Sequence, residues 1–206
     1  MNKNTFRYSF HVLFHPLDGF WDLKNEKRGR VSVALFFITT WFLTNILEQL
    51  ATGFLFNPDY DIPLDIFSEF RSVFLLFALF TVANWSVTTL MDGKGTFRDI
   101  VMVFGYASIP MTLLRVPAII LSNVLVSSET IYYELLTGFA TAWFLVLLFL
   151  GVMMVHDFSF AKAVGTLFLT IISMVILIFI AVVFYNIFSV LLSFVMAAYK
   201  ELRMRF

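Results

Sequence analysis

Apolar positions in this chain come in long unbroken blocks, not in alternation. They run at about Val31–Phe54, Ser72–Met91, Ile100–Val126, Leu135–Val155, and from Val164 past Phe194. A helix rises about 1.5 Å per residue and a bilayer's hydrocarbon core is about 30 Å thick, so roughly 20 apolar residues make a span. Every block reaches that length, and continuous apolarity argues against a strand barrel. The pattern predicts an all-α polytopic membrane protein, a bundle of five transmembrane helices. Residues 164–199 would extend about 54 Å as one helix, which exceeds the core thickness, so a protruding or bent last helix is expected. The third block carries Pro110 and Pro117. No second block is broken in the same way, so the paired broken helices of secondary transporters are not visible.

Ahead of the first block the period changes. Phe6, Phe10, Leu13 and Phe14 fall on one helical face. Phe20 and Trp21 follow the His15-Pro16 break, and Lys24, Lys27, Arg28 and Arg30 come next. An apolar face followed by a basic cluster reads as an arm lying in the membrane interface, with Phe6, Phe10, Phe14 and Trp21 as its anchors. The stretch does not read as a signal peptide, because its apolar core would have to cross His11, His15, Pro16 and Asp18. The expected divisions are an interfacial arm at 1–30, a transmembrane domain at 31–199 and a basic tail at 200–206.

Charge orients the spans. The arm is basic, the loop after the second span carries Lys94 and Arg98, and the loop after the fourth carries Lys162. Between the first two spans stand Asp59, Asp61, Asp65 and Glu69 against Arg71, and Ser127–Glu134 has no Lys or Arg. Positive charge on the cytoplasmic side puts the N-terminus there. Lys200, Arg203 and Arg205 run against this order and are read as external anchors.

Composition narrows the class further. Of 206 residues, 60% are hydrophobic and 14% charged, 27 are Phe and none is Cys. Soluble domains are about 45–50% apolar and about 25% charged. A soluble enzyme, a disordered chain and a disulfide scaffold are therefore excluded. Fourteen basic residues balance fourteen acidic ones, so no nucleic-acid footprint exists.

Little catalytic chemistry is in view. His11 and His15, with Asp18 and Asp22 near, have the residue types of a zinc site, but Pro16 disrupts the shared helical face. Gly93-Lys94-Gly95-Thr96 resembles part of a phosphate loop, yet Thr88 stands where the pattern needs its first Gly. His156-Asp157 lies at a span boundary without a nucleophile beside it. No enzyme, metal or cofactor is expected.

Polar groups at depth are costly unless partnered, which makes them candidates for function. Glu48 and Arg115 sit at similar outer depths in spans one and three, and an ion pair between them is expected to lock helices. Asn45, Asn84, Asn123 and Asn186 read as interhelical hydrogen-bond donors, and Gly138 with Ala142 as a close-packing pair.

Three short elements resemble the YIP family, the Ypt/Rab-interacting membrane proteins. They are His15-Pro16 with Phe20 and the basic patch, Gly95-Thr96-Phe97-Arg98 entering span three, and Gly105-Tyr106 with Pro110. The resemblance covers about residues 10–195 and implies five helices with a cytoplasmic N-terminus. Eukaryotic members are adaptors in vesicle traffic that bind small GTPases through long N-terminal regions. The short arm here resembles bacterial members, which implies a multi-pass protein of a bacterial plasma membrane. The residues add their own reading: Gly105 admits a close backbone, and Pro110 frees the Tyr106 carbonyl, which must find a partner inside the protein.

These readings lead to a non-enzymatic scaffold or adaptor in membrane organisation or trafficking. Its surface would be the arm with the Asp92–Asp99 and His156–Lys162 loops. The alternative is a transporter, channel or lipid-handling protein using the broken third span. Expected partners are the lipid bilayer and a membrane or peripheral protein. The reading also admits a homo-oligomer.

Overall fold

The computed structural model describes residues 3–58 and 60–205, without the side chains of 3–6, 198, 202 and 205. Its helices are α1 (Lys3–Phe14), α2 (Pro16–Asn25), α3 (Val31–Ala51), α4 (Ile66–Leu90), α5 (Phe97–Ala107), α6 (Ile109–Leu113), α7 (Arg115–Ser122), α8 (Thr130–His156) and α9 (Phe160–Arg205). No strand occurs among the described residues. Five segments are long and apolar enough to cross a membrane: α3, α4, the run α5–α7, α8 with the short turn before it, and α9.

The broken third span is the core. Of its most apolar stretch 61% is buried, against 33% for α3 and for α4, 39% for the fourth span and 6% for α9. Lipid tails are as apolar as Leu, so close packing, not hydrophobic transfer, holds such a bundle together. Phe104 is the hub of that packing, with its ring 5.4–6.2 Å from those of Trp41, Phe77, Phe80 and Phe144.

Helix starts follow cap chemistry. Asp65 accepts the Phe67 N–H at 3.0 Å, which carries α4 back to Ile66 through a charged, exposed first turn. The expected start at Ser72 marked only the apolar part. Thr96 and Asp99 form a reciprocal capping box at the start of α5, with the Thr96 N–H donating to Asp99 at 2.8 Å.

The arm departs from the expected picture. Phe10, Phe14 and Trp21 are 47%, 69% and 48% exposed. However, Val12, Leu13, Phe20 and Leu23 are no more than 3% exposed. One side of the arm is thus packed into protein: α2 docks on α8, and α1 packs on α2 and α5. Two glycines permit this approach. A Cβ at Gly19 would lie 2.7 Å from the Val12 Cα, and one at Gly151 would lie 3.1 Å from the Phe20 ring.

The last helix is unbroken. Its first part packs on α4 and α8. Beyond Leu177 every described side chain is exposed. At 46 residues it extends about 69 Å, more than twice the hydrocarbon core.

Candidate functional site

The arm, the 91–96 loop and the turn after α8 meet at one end of the bundle. Lys24 of α2 donates to the Val155 carbonyl near the end of α8. The Gly95 N–H donates to Nδ1 of His156 at 3.2 Å, and Lys94 pairs with Asp157 at 2.5 Å. The two glycines flanking Lys94 are required by contact: a Cβ at Gly93 or Gly95 would lie 2.4 Å or 2.7 Å from the His156 ring. Asp157 takes a left-handed conformation with φ 56° and ends α8. Lys162 sits over the Phe158 ring at 4.4 Å. A cleft of about 210 Å³ lies between these parts, lined by Trp21, Lys24, Lys94 and Asp157 among others. Burial holds the Lys24 pKa below the usual lysine value, with Asp99 and Asp157 opposing and Lys94 reinforcing. The Lys94 ammonium holds Asp157 below the usual carboxylate value.

Tyr106 joins the same end from inside. It is fully buried, its ring edge meets Tyr8 at 5.8 Å, and its hydroxyl accepts the Arg30 N–H at 3.4 Å. Tyr8 in turn donates to the Gly19 carbonyl at 2.6 Å. Burial, then the neighbouring Tyr106, holds the Tyr8 phenol well above its ordinary value, so it remains a donor. Next to Tyr106, Gly105 lets α3 approach, and a Cβ there would lie 2.5 Å from the Ala34 Cα. Pro110 is buried. The chain turns before it at Ser108, whose N–H donates to Phe104 at 3.0 Å and whose hydroxyl donates to Gly105 at 2.8 Å. The break between α5 and α6 is thus closed by the adjacent Ser108.

The opposite end holds the intramembrane charges. Arg115 Nη1 lies 3.1 Å from Glu48 Oε2, with both side chains four-fifths to three-quarters buried. Tyr133 donates to the other oxygen of Glu48 at 3.1 Å, which brings α8 into the link between α3 and α7. Sequence reasoning missed Tyr133; its one signal was a hydroxyl-bearing ring one turn inside the polar start of the fourth span. Asn123 donates to the Ala51 and Ile119 carbonyls at 2.8 and 2.9 Å, tying the ends of α3 and α7. Asn84 donates across to Thr170 of α9 at 3.1 Å.

Other expectations are corrected. Asn186 bonds within its own helix, to Val182 at 2.8 Å. Gly138 has nothing within 4 Å and Ala142 is exposed, so that pair faces outward; the close approaches are made at Gly105 and Gly151. His11 and His15 stack their rings at 5.2 Å. The Phe6 side chain lies outside the described part of the structure.

Together these features define a multi-pass helical membrane protein whose N-terminal arm docks on the bundle beside a glycine-tyrosine element of its central span. A Yip1-domain family model matches residues 10–184. The chain belongs to the Yip1-domain family. No curated protein and no solved structure is matched by the chain.

Proposed function

We infer that this protein is a non-enzymatic adaptor or scaffold in membrane organisation or trafficking. It is read as lying in a bacterial plasma membrane with its N-terminus cytoplasmic. Residues 1–30 are the cytoplasmic arm, 31–199 the spans and 200–206 a basic tail. The observation that carries the reading is the convergence of arm, 91–96 loop and post-α8 turn through Lys24–Val155, Gly95–His156 and Lys94–Asp157. A face built from three segments far apart in sequence and rich in exposed side chains suits a membrane or peripheral protein partner. Lys and Arg in the arm and in the loops carrying Lys94, Arg98 and Lys162, against Asp61, Asp65 and Glu69 in the loop between the first two spans, support the cytoplasmic assignment.

Two measurements test it. Reporters after Lys162 and within residues 57–68 are expected to read cytoplasmic and external respectively; the reverse at both sites would overturn the orientation. A photo-crosslinker at Trp21 or Asn25 in native membranes is expected to trap a discrete protein, while one at Phe67 traps lipid. Solute flux or lipid scrambling by the purified protein in sealed vesicles, with no crosslink at Trp21, would favour the transport alternative.

A further inference from the structure

Around the docked arm, two cavities have opposite character. The first, of about 530 Å³, lies between α1 and the α2–α3 connection and is lined by Arg7, His11, Lys27, Arg28 and Arg30 with Tyr8 and Glu26. Arg28 is already committed to Asp22 at 3.0 Å and Glu26 at 2.6 Å. Among the described residues no carboxylate lies within ion-pair distance of Arg7, Lys27 or Arg30. Arg7, Lys27 and Arg30 thus face the cleft without a direct carboxylate partner, and together with Arg28 they outnumber Asp22 and Glu26 by two charges. Lys27 also takes a left-handed backbone, φ 53°, where Gly or Asn would be unstrained.

The second cavity, of about 210 Å³, is a groove between α1, α3 and α6, lined almost wholly by apolar atoms of Phe10, Phe36, Phe37, Ile109 and Leu113. A short aromatic wall divides the two. Tyr106 contacts Tyr8 of the first at 5.8 Å and Phe37 of the second at 6.0 Å. Along α3 the lining passes from Arg30 to Phe36 and Thr40, about 9–15 Å deeper by helical rise. A basic cleft above an apolar groove, at the start of a membrane span, matches an anionic amphiphile: phosphate above, hydrocarbon below.

We propose that the arm and the first span hold one anionic glycerophospholipid, its phosphate among Arg7, Lys27 and Arg30 and an acyl chain in the α1–α3–α6 groove. A soluble phosphate would use only the upper cleft. A zwitterionic lipid has no net charge to meet the two positive charges by which this cluster is in excess. The site stands independently of the adaptor reading, since it rests on cavities on the α1 side of the arm.

Native mass spectrometry of the full chain in detergent tests this, with dioleoylphosphatidylglycerol and dioleoylphosphatidylcholine as probes. One phosphatidylglycerol per chain is expected to persist where phosphatidylcholine is lost. Arg7→Gln and Arg30→Gln should each weaken it about fivefold, the effect of one basic residue near an anionic lipid surface. Lys27→Gly removes a charge and relieves the backbone at once. It should weaken lipid retention similarly while leaving the melting temperature equal or higher, which separates binding from folding. Leu113→Trp, which fills the groove, should reduce retention of the lipid with the cations intact. Equal binding of the two lipids, or unchanged retention in the three charge variants, overturns the proposal. So does displacement of the lipid by equimolar glycerol 3-phosphate, which would reveal a soluble-anion cleft.

Discussion

Gly105 lies against Ala34 with no room for a side chain: a Cβ on Gly105 would come 2.5 Å from the Ala34 Cα. Both residues belong to the packed interior, where backbone cannot yield as a flexible side-chain tip can. Gly105→Ala should therefore destabilise by about 1–3 kcal/mol through overpacking. Gly138, with nothing within 4 Å, is the internal control. Gly138→Ala should be neutral or stabilise slightly, by up to about 1 kcal/mol from helix propensity. Thermal unfolding of both variants in one detergent checks the contrast.

Glu48 and Arg115 form a partly buried pair that Tyr133 completes. Removing one charge strands the other. Glu48→Ala and Arg115→Ala should each cost roughly 2–4 kcal/mol, below the fully buried extreme because both side chains keep some exposure. The double variant should cost less than the sum by about 1–3 kcal/mol. Tyr133→Phe should cost about 1 kcal/mol. A double-mutant cycle by thermal or denaturant unfolding measures these; additivity would mean the pair carries no coupling.

Phe14 and Phe20 flank the same His15-Pro16 break but have opposite surroundings, 69% and 0% exposed. Phe20→Ala should destabilise by about 3–5 kcal/mol, the cost of emptying a packed aromatic site. Phe14→Ala should change stability in detergent by no more than about 0.5 kcal/mol. Its effect should appear instead as weaker association of the arm with lipid vesicles.

How much of this was legible in sequence depends on what hydropathy can distinguish. Apolar blocks define five spans because bilayer thickness sets their length. The depths and opposite signs of Glu48 and Arg115 suggested their meeting. Hydropathy cannot separate a side chain facing lipid from one facing protein, since both surroundings are apolar. That is why Leu13 and Phe20 read like Phe10 and Phe14, and why Gly138 was singled out for close packing while Gly151 was not. Tyr133 was invisible because its role depends on α8 reaching Glu48 across 85 residues. The early start of α4 was hidden because its first turn is charged and lies beyond the apolar block.

Asp157 gives a pH-dependent observable. Lys94, at 2.5 Å, holds its pKa below the ordinary 3.8. A depressed carboxylate contributes at pH above its unfolded value, and that contribution is lost as pH falls through the folded one. The Lys94 link should therefore persist at neutral pH and open only below about pH 4. Carboxyl carbon-13 titration of Asp157 in nanodiscs should give a midpoint under 3.8. Lys94→Met should return the midpoint toward that value.

The docked arm is the central claim, because the convergent face and the lipid cleft both depend on it. Gly151 lies on α8 facing both α5 and α2: a Cβ there would lie 2.5 Å from the Val103 side chain and 3.1 Å from the Phe20 ring. Hydrogen exchange of the full chain in nanodiscs, with and without Gly151→Leu, reads the docking directly. A side chain at Gly151 should push α2 away and speed amide exchange across Leu17–Asn25, while the amides of Phe74–Phe80 in α4 stay protected. Unchanged exchange in α2 would mean that the arm rests on lipid alone, and would contradict the account.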